Sequence, residues 1–436
     1  MAHKSGAGLE DLMSQLTPLD SAFKSARRRL VPFLLLMYIL SFLDRANIGF
    51  AKQSFQASTG VSDAAYALGA GIFFLTYALF EVPSNLILHR VGARIWMARI
   101  MVTWGLVSAA MMFATNDTIF YVLRLLLGAA EAGFFPGVIL YLTYWFPDSR
   151  RSQIMGLFYF GAPLAFIFGA PLSGLLLELD KMAGLGGWQW MFVVEGLLAS
   201  AVGVWAFFYL DDKPDDATWL NSAERTALQS AISAEQKLKT SHGPSDFLDV
   251  LLTPKVLHFV LIYFLIQMSV YGVVFYLPTQ VAALLGKKVG FDVGLVTAIP
   301  WICALAATFS LPSIADRTGG HRLMAAAILA ISGIGIAVSA NSPPAIALLS
   351  LCFAAAGFIA VQPLFWKFPT STLGGVAAAG GIAAINAIGS LGGFVAPNVK
   401  NLADASFAIP NAGLYLLAGT TLIGAVAIFA IRESRR

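Results

Sequence analysis

Charge is what this 436-residue chain has least of. Only 12% of its residues are Asp, Glu, Lys or Arg, against roughly a quarter in soluble globular domains. Too little polar surface exists to cover the two or three soluble domains that the length would otherwise allow. Hydrophobic residues make up 58% of the chain, which excludes a disordered polymer. Two cysteines, in separate apolar stretches, exclude a disulfide scaffold and a multi-cysteine metal site. The five histidines are dispersed over loops and helix ends, so no zinc or haem constellation follows and no cofactor is expected. A net charge of +4 is small, and no basic stripe interleaved with aromatics marks a nucleic-acid partner.

Long apolar runs are abundant. Twenty apolar residues cross a bilayer as a helix, and twelve such segments are read at 30–50, 65–88, 96–114, 119–145, 152–176, 188–209, 256–277, 291–314, 323–341, 345–366, 375–397 and 412–431. None alternates polar and apolar residues as a barrel strand does. The expected organisation is a polar N-terminal segment (1–29), a six-helix bundle (30–209), a polar central loop (210–255), a second six-helix bundle (256–431) and a short tail (432–436). The first apolar run has membrane length, contains Asp44 and Arg45, and lacks a small-residue cleavage site, so it reads as a span and not as a signal peptide.

The few charges orient the chain. With both termini and the central loop on the cytoplasmic side, that side holds 21 Lys and Arg and the opposite side holds 5, namely Lys52, Lys181, Lys287, Lys288 and Lys400. The remaining two, Arg45 and Arg124, fall inside the membrane. This is the inside-positive asymmetry of a multi-pass protein.

The halves repeat. His89-Arg90-Val91-Gly92-Ala93-Arg94 follows the second span, and Asp316-Arg317-Thr318-Gly319 follows the eighth, 227 positions on. Phe146-Pro147-Asp148 and Phe368-Pro369-Thr370 follow the fourth and tenth, 222 positions apart. Two motifs at nearly one offset indicate a duplicated six-helix unit, the mark of secondary transporters that rock about a central site.

These loop motifs resemble those of the major facilitator superfamily, whose signature between spans 2 and 3 runs approximately Gly-x-x-x-Asp-Arg-x-Gly-x-Arg. Here His89 takes the Asp position and Asn85 the leading Gly position, while Asp316-Arg317 keeps the acid-base pair in the second copy. The resemblance implies cytoplasmic gating by Arg90, Arg94, Asp316 and Arg317. Within the superfamily, Leu43-Asp44-Arg45-Ala46-Asn47-Ile48-Gly49, Phe80-Glu81-Val82-Pro83-Ser84-Asn85 and the run Arg124-Leu125-Leu126-Leu127-Gly128-Ala129-Ala130-Glu131-Ala132-Gly133-Phe134-Phe135-Pro136-Gly137 look like motifs of the anion:cation symporter family. Gly187-Trp188-Gln189-Trp190-Met191-Phe192 with Glu195-Gly196 looks like its sixth span, with Gln189 where Arg is frequent. The detail is closest to bacterial rhamnonate- and tartrate-type sugar-acid transporters. That implies a twelve-helix all-α membrane protein, not an enzyme, that takes up a small organic anion with protons across the bacterial inner membrane.

A charge in the bilayer core marks a functional site by default. Asp44, Arg45, Glu81, Arg124, Glu131 and Glu195 all belong to the first six spans, and the last six carry no charge in their cores. At 1.5 Å per residue, Asp44 and Arg124 fall at one level, about 21–22 Å from the cytoplasmic face, and Glu131 lies roughly 10 Å further in, near midplane. The simplest arrangement pairs Asp44 with Arg124 and leaves Arg45 to grip a carboxylate through a forked pair of hydrogen bonds. Glu131 then has no cation at its own level from the fourth span, and burial favours its neutral form, which suits a proton carrier. The family resemblance implies the same roles: Asp44 and Glu131 as proton-coupling acids, Arg45 and Arg124 shaping the anion site. Against these stand structural readings: an ion pair tying two helices, a snorkelling arginine, a permanently protonated packing acid. Glu81 reads as a gate or helix-end group and Glu195 as structural.

The second half supplies neutral groups. Gln267, Tyr271, Asn386 and Trp366, with Tyr77 from the first half, offer the donors, acceptors and apolar faces that a polyhydroxy acid needs. Glycine-rich stretches at 156–174 and 374–393 read as close-packed, bendable helices and not as phosphate cradles, because no strand precedes them. The reading is a proton-coupled symporter that works as a monomer. Its rivals are a uniporter or exchanger on the same site, and a transporter-like membrane sensor.

Overall fold

The computed structural model describes residues 17–240, 253–372 and 375–431. The segments 1–16, 241–252 and 432–436, parts of the expected N-terminal segment, central loop and tail, lie outside the described residues. Among the described residues every regular element is a helix.

The first half contains α1 (Pro18–Thr59), α2 (Asp63–Val91), α3 (Ala93–Ala110), α4 (Asp117–Glu131), α5 (Phe134–Trp145), α6 (Asp148–Phe158), α7 (Gly161–Leu177) and α8 (Gly187–Tyr209). Helix α9 (Ser222–Thr240) stands between the halves. The second half contains α10 (Pro254–Val274), α11 (Leu277–Leu285), α12 (Phe291–Thr318), α13 (His321–Ser339), α14 (Pro344–Thr372), α15 (Gly375–Ser390), α16 (Gly392–Ser406) and α17 (Ala412–Phe429). Local chemistry sets the ends. Thr17, Ser62, Asn116 and Thr253 each turn a side-chain oxygen onto an orphan backbone N–H of the first turn. Gly60 closes α1 in the left-handed region that glycine tolerates.

Among the described residues, eleven helical spans are long and apolar enough to cross a membrane. The twelfth expected segment, 375–397, folds as α15 and α16, helices of 16 and 15 residues that meet at Leu391. Each reaches about 23 Å, short of a 30 Å core, but end to end they exceed it. The twelve segments are therefore present, with three corrections to their form.

The first span runs 42 residues, not 21, because the basic 18–29 stretch is already helical. Ser21 Oγ donates to Glu224 on α9, which ties that extension to the central segment. The fourth and fifth spans are each broken in two. The fourth breaks immediately after Glu131, where Ala132 is extended and Gly133 has φ of +86°. A Cβ on Gly133 would also meet Ser84 Oγ at 2.3 Å, so only glycine fits both the dihedral and the gap. The seventh span continues past its expected end at 277 as α11.

Within the first half α3 lies along α8 and α2 along α4; within the second, α14 lies along α12 and α13, and α13 along α17. The halves meet where α7 runs against α12 and where α2 runs against α16. Small residues make this possible: a Cβ on Gly294 of α12 would sit 2.3 Å from the Ala170 carbonyl oxygen of α7. Polar links across the halves gather at the end of the bundle that holds the α1–α2 turn. Phe291 N donates to Glu178 Oε1 at 2.9 Å, Val289 N to Gln53 Oε1 at 3.4 Å, and the Tyr66 hydroxyl to the Phe275 carbonyl at 3.4 Å.

Candidate substrate and coupling site

Four helices deliver the buried charges. α1 carries Ser41, Asp44, Arg45 and Asn47 over two turns, and α4 carries Arg124 and Glu131 seven residues apart on one face. α2 adds Glu81, and α8 adds Glu195. Asp44, Glu81, Arg124, Glu131 and Glu195 are all at most 2% exposed.

The pairing differs from that expected from depth alone. Arg45, not Arg124, meets an acid: its Nη2 lies 2.7 Å from Glu131 Oε1 and its Nε donates to the same oxygen at 2.8 Å. Ser41 Oγ donates to that oxygen as well, at 2.9 Å. The cation beside Glu131 is therefore supplied by α1 and not by α4. The depth estimate failed because it measured Cα height alone. Arg45 reaches several ångströms along its stem, and residues i and i+1 on α1 point about 100° apart.

Asp44 does not pair with Arg124. It accepts from Ser108 Oγ at 2.8 Å, from Asn47 Nδ2 at 3.2 Å and from Trp104 Nε1 at 2.6 Å. Arg124 instead spends its donors on backbone: Nε on the Gly69 carbonyl at 3.0 Å and Nη2 on the Ala70 carbonyl at 2.9 Å. Both cations lie near rings. Arg45 sits 4.8 Å from the Tyr77 ring centre and Arg124 5.1 Å from that of Phe73, separations at which a ring face attracts a guanidinium.

The second half closes on this cluster with neutral groups. Arg45 Nη1 donates to the Tyr271 hydroxyl at 3.2 Å, which links α1 to α10 across the halves. Tyr271 lies against Phe74, ring centres 4.4 Å apart. Asn386 Nδ2 donates to Glu81 Oε1 at 2.7 Å, a second link across the halves. Gln267 Nε2 donates to the Tyr263 hydroxyl at 3.3 Å, and Trp366 stands edge-on to Tyr263 at 5.0 Å. Arg45, Tyr77 and Tyr271 thus form one contiguous group. Gln267 and Trp366 gather around Tyr263, and Asn386 is held by Glu81.

The four gating candidates sit at the opposite end from the α1–α2 turn. Arg94 is anchored to the start of the central segment, its backbone N–H on Asp212 Oδ1 at 2.8 Å and its Nε 3.9 Å from Asp212 Oδ2. Asp316 takes Lys367 Nζ at 2.7 Å and His321 Nε2 at 2.8 Å, both from its own half. Arg90 and Arg317 are exposed. The structure therefore adds Asp212, His321 and Lys367 to this set.

Sequence reading missed Ser41, Ser108, Trp104 and Tyr263. Trp104 had a usable signal, since an indole N–H buried in an aliphatic span needs an acceptor. The serines and Tyr263 gave none, because which face of each span turns inward is fixed only by packing.

The comparisons agree with this architecture. Residues 34–397 match the model of the Major Facilitator Superfamily. The inner membrane transport protein RhmT of Escherichia coli (strain K12) is 50% identical over 417 residues, covering 96% of each chain. An Agrobacterium vitis protein named provisionally as a tartrate transporter is 42% identical over 408 residues, covering 93% of this chain and 90% of its own length. Among solved structures, a partially occluded inward open conformation of the E. coli xylose transporter XylE superposes with a TM-score of 0.71 at 15% identity, covering 93% of this chain and 97% of that one. That likeness is one of fold. The chain is a membrane transporter and belongs to the Major Facilitator Superfamily.

Proposed function

We propose that this transporter is a symporter that carries a small organic anion, a sugar acid such as an aldonate, together with protons into the cell. The observation that carries the reading is the Arg45–Glu131 pair at 2.7 Å, with Tyr77 and Tyr271 beside it. Glu131 occupies the forked donors of Arg45 as a substrate carboxylate would. A proton on Glu131 neutralises that internal anion and frees the guanidinium for an external one. Proton and substrate thus replace a single internal charge together, and neither binds well alone. Asp44, held by three donors, is the second coupling acid.

The energetics favour coupling. Bringing a monovalent anion into a cell with an inside-negative potential costs about 2.3 kcal/mol per 100 mV, and one accompanying proton cancels that charge. Charge asymmetry in the loops supports both termini facing the cytoplasm of a bacterial inner membrane. The cross-half links at the α1–α2 end would then close the outer side. Alternating access would follow as the halves rock on the α7–α12 and α2–α16 contacts. One chain carries the whole site, so a monomer suffices. Names of relatives lend support, since one is called provisionally a tartrate transporter.

The test is uptake of a panel of labelled sugar acids into proteoliposomes, with and without an inward proton gradient. Accumulation above the outside concentration only with the gradient is expected. Uptake indifferent to the gradient would contradict symport.

A further inference from the structure

The hydrogen bonds that join the halves are unevenly placed. Four lie at the level of Arg45 or beyond it, toward the α1–α2 turn: Arg45–Tyr271, Tyr66–Phe275, Gln53–Val289 and Glu178–Phe291. The fifth, from Asn386 Nδ2 to Glu81 Oε1 at 2.7 Å, lies on the other side of the site. Glu81 stands one turn of α2 past Tyr77, about 15 Å from the end of that helix at Val91, and Asn386 stands about 16 Å from the start of α15 at Gly375. The bond therefore runs across the bundle at one level. The family motifs imply closure at this end by Arg90, Arg94, Asp316 and Arg317, but among the described residues none of them bonds to the opposite half. Arg94 holds Asp212, Asp316 holds His321 and Lys367, and Arg90 and Arg317 are exposed.

Packing on the outer side is of another kind. There α2 meets α16 backbone to backbone: a Cβ on Gly71 would come 2.7 Å from the Phe394 carbonyl oxygen, and one on Gly393 2.6 Å from the Phe74 ring. Small residues in such close contact make a pivot. Inward of it, α2 reaches the eleventh span through the polar pair. Glu81 is 1% exposed and Asn386 8%. The second carboxyl oxygen of Glu81, Oε2, is buried without a donor, so Asn386 is the side chain that satisfies this carboxyl. Parting the halves here in a dry interior would leave the carboxyl with no donor at all, which is costly. Separation and the entry of water from that end must come together.

We infer that the Glu81–Asn386 hydrogen bond is the latch that closes the site toward the cytoplasm, and that release of substrate begins when it breaks. The word cytoplasm rests on the orientation proposed above. The latch itself belongs to the end of the bundle opposite the α1–α2 turn, whichever way the chain sits, and it does not depend on which anion is carried.

Hydrogen–deuterium exchange of the full-length protein in lipid nanodiscs, read by mass spectrometry, tests the latch without substrate. Two regions are compared: the inner ends of α2 and α10 (82–91 and 254–263), and the outer contact at 289–294. Asn386→Leu keeps a similar volume and removes the donor. Exchange at the inner ends is expected to rise roughly tenfold, the worth of one hydrogen bond to a carboxyl, while 289–294 stays as protected as in the wild type. Glu81→Gln keeps an acceptor for Asn386 and is expected to exchange as the wild type does. Unchanged exchange at the inner ends of Asn386→Leu would overturn the latch. So would an equal rise at both ends, which marks a structural tie whose loss loosens the whole bundle. Where Asn386→Leu is not recovered from the membrane, Asn386→Ala carries the same expected and contradicting results. A reversed orientation would leave these exchange patterns in place and would show only when the termini are probed from outside intact cells, so the two failures are distinguishable.

Discussion

The two halves of this transporter carry matching loop motifs and differ in what they bury. The first half buries Asp44, Glu81, Arg124, Glu131 and Glu195 and holds Arg45 half-buried against Glu131. The second presents Gln267, Tyr271, Trp366 and Asn386 to the same region. A buried charge needs partners held in place, and for Asp44, Arg124 and Glu131 the first half supplies them from within: Ser41, Ser108, Trp104 and two backbone carbonyls. Neutral groups ask less of their surroundings and can part from the other half at lower cost. Two links join the charged half to the neutral half near the site, Arg45–Tyr271 and Glu81–Asn386, and both have a neutral member. The division of labour follows: the first half fixes the chemistry of Asp44, Arg45 and Glu131, and the second adds neutral groups, among them the Asn386 amide that donates to Glu81.

This contrast predicts unequal effects of substitution. The largest belongs to Arg45→Ala, which removes the only guanidinium among the described residues that is paired to a side-chain acid in the site. Carboxylate affinity should fall by about 3 kcal/mol, more than a hundredfold, measured by calorimetry on the purified protein. Unchanged affinity would move the clamp to Arg124. Arg124→Ala should act first on stability, because it strips the Gly69 and Ala70 carbonyls of their donors. A loss of about 2–4 kcal/mol, read as a lowered melting temperature, is expected. Melting as in the wild type would show that Arg124 is not the tie between α4 and α2. Tyr271→Phe removes one neutral hydrogen bond and should cost about 1 kcal/mol, several-fold in affinity. If it cost as much as Arg45→Ala, the division between charged and neutral halves would fail. Gln267→Ala is the smallest, within a few-fold, and should bear on polyhydroxy acids more than on their deoxy analogues.

Much of the fold was legible because bilayer length and loop charge are strong, local signals. The segment 375–397 hid its break, since Leu391 lies in a glycine-rich stretch with no proline before Pro397. The break after Glu131 could have been suspected from Gly133, but a glycine in a membrane span serves packing as often as bending. The identity of the buried charges was legible, because scarcity makes each one conspicuous. Their pairing was not. Depth along a helix comes from counting, whereas Arg45 chose Glu131 by side-chain reach and by the turn of α1 toward α4, which only packing determines. The same holds for Asp44, whose donors Trp104 and Ser108 lie on α3.

The central claim is that Glu131 trades its hold on Arg45 for a proton when substrate enters. It is tested most directly by Glu131→Gln in proteoliposomes, with gradient-driven accumulation and exchange of labelled for unlabelled substrate measured on one preparation. The account predicts that accumulation is lost while exchange persists, because the amide leaves Arg45 free for substrate but carries no proton. Accumulation at the wild-type level in that variant would contradict it.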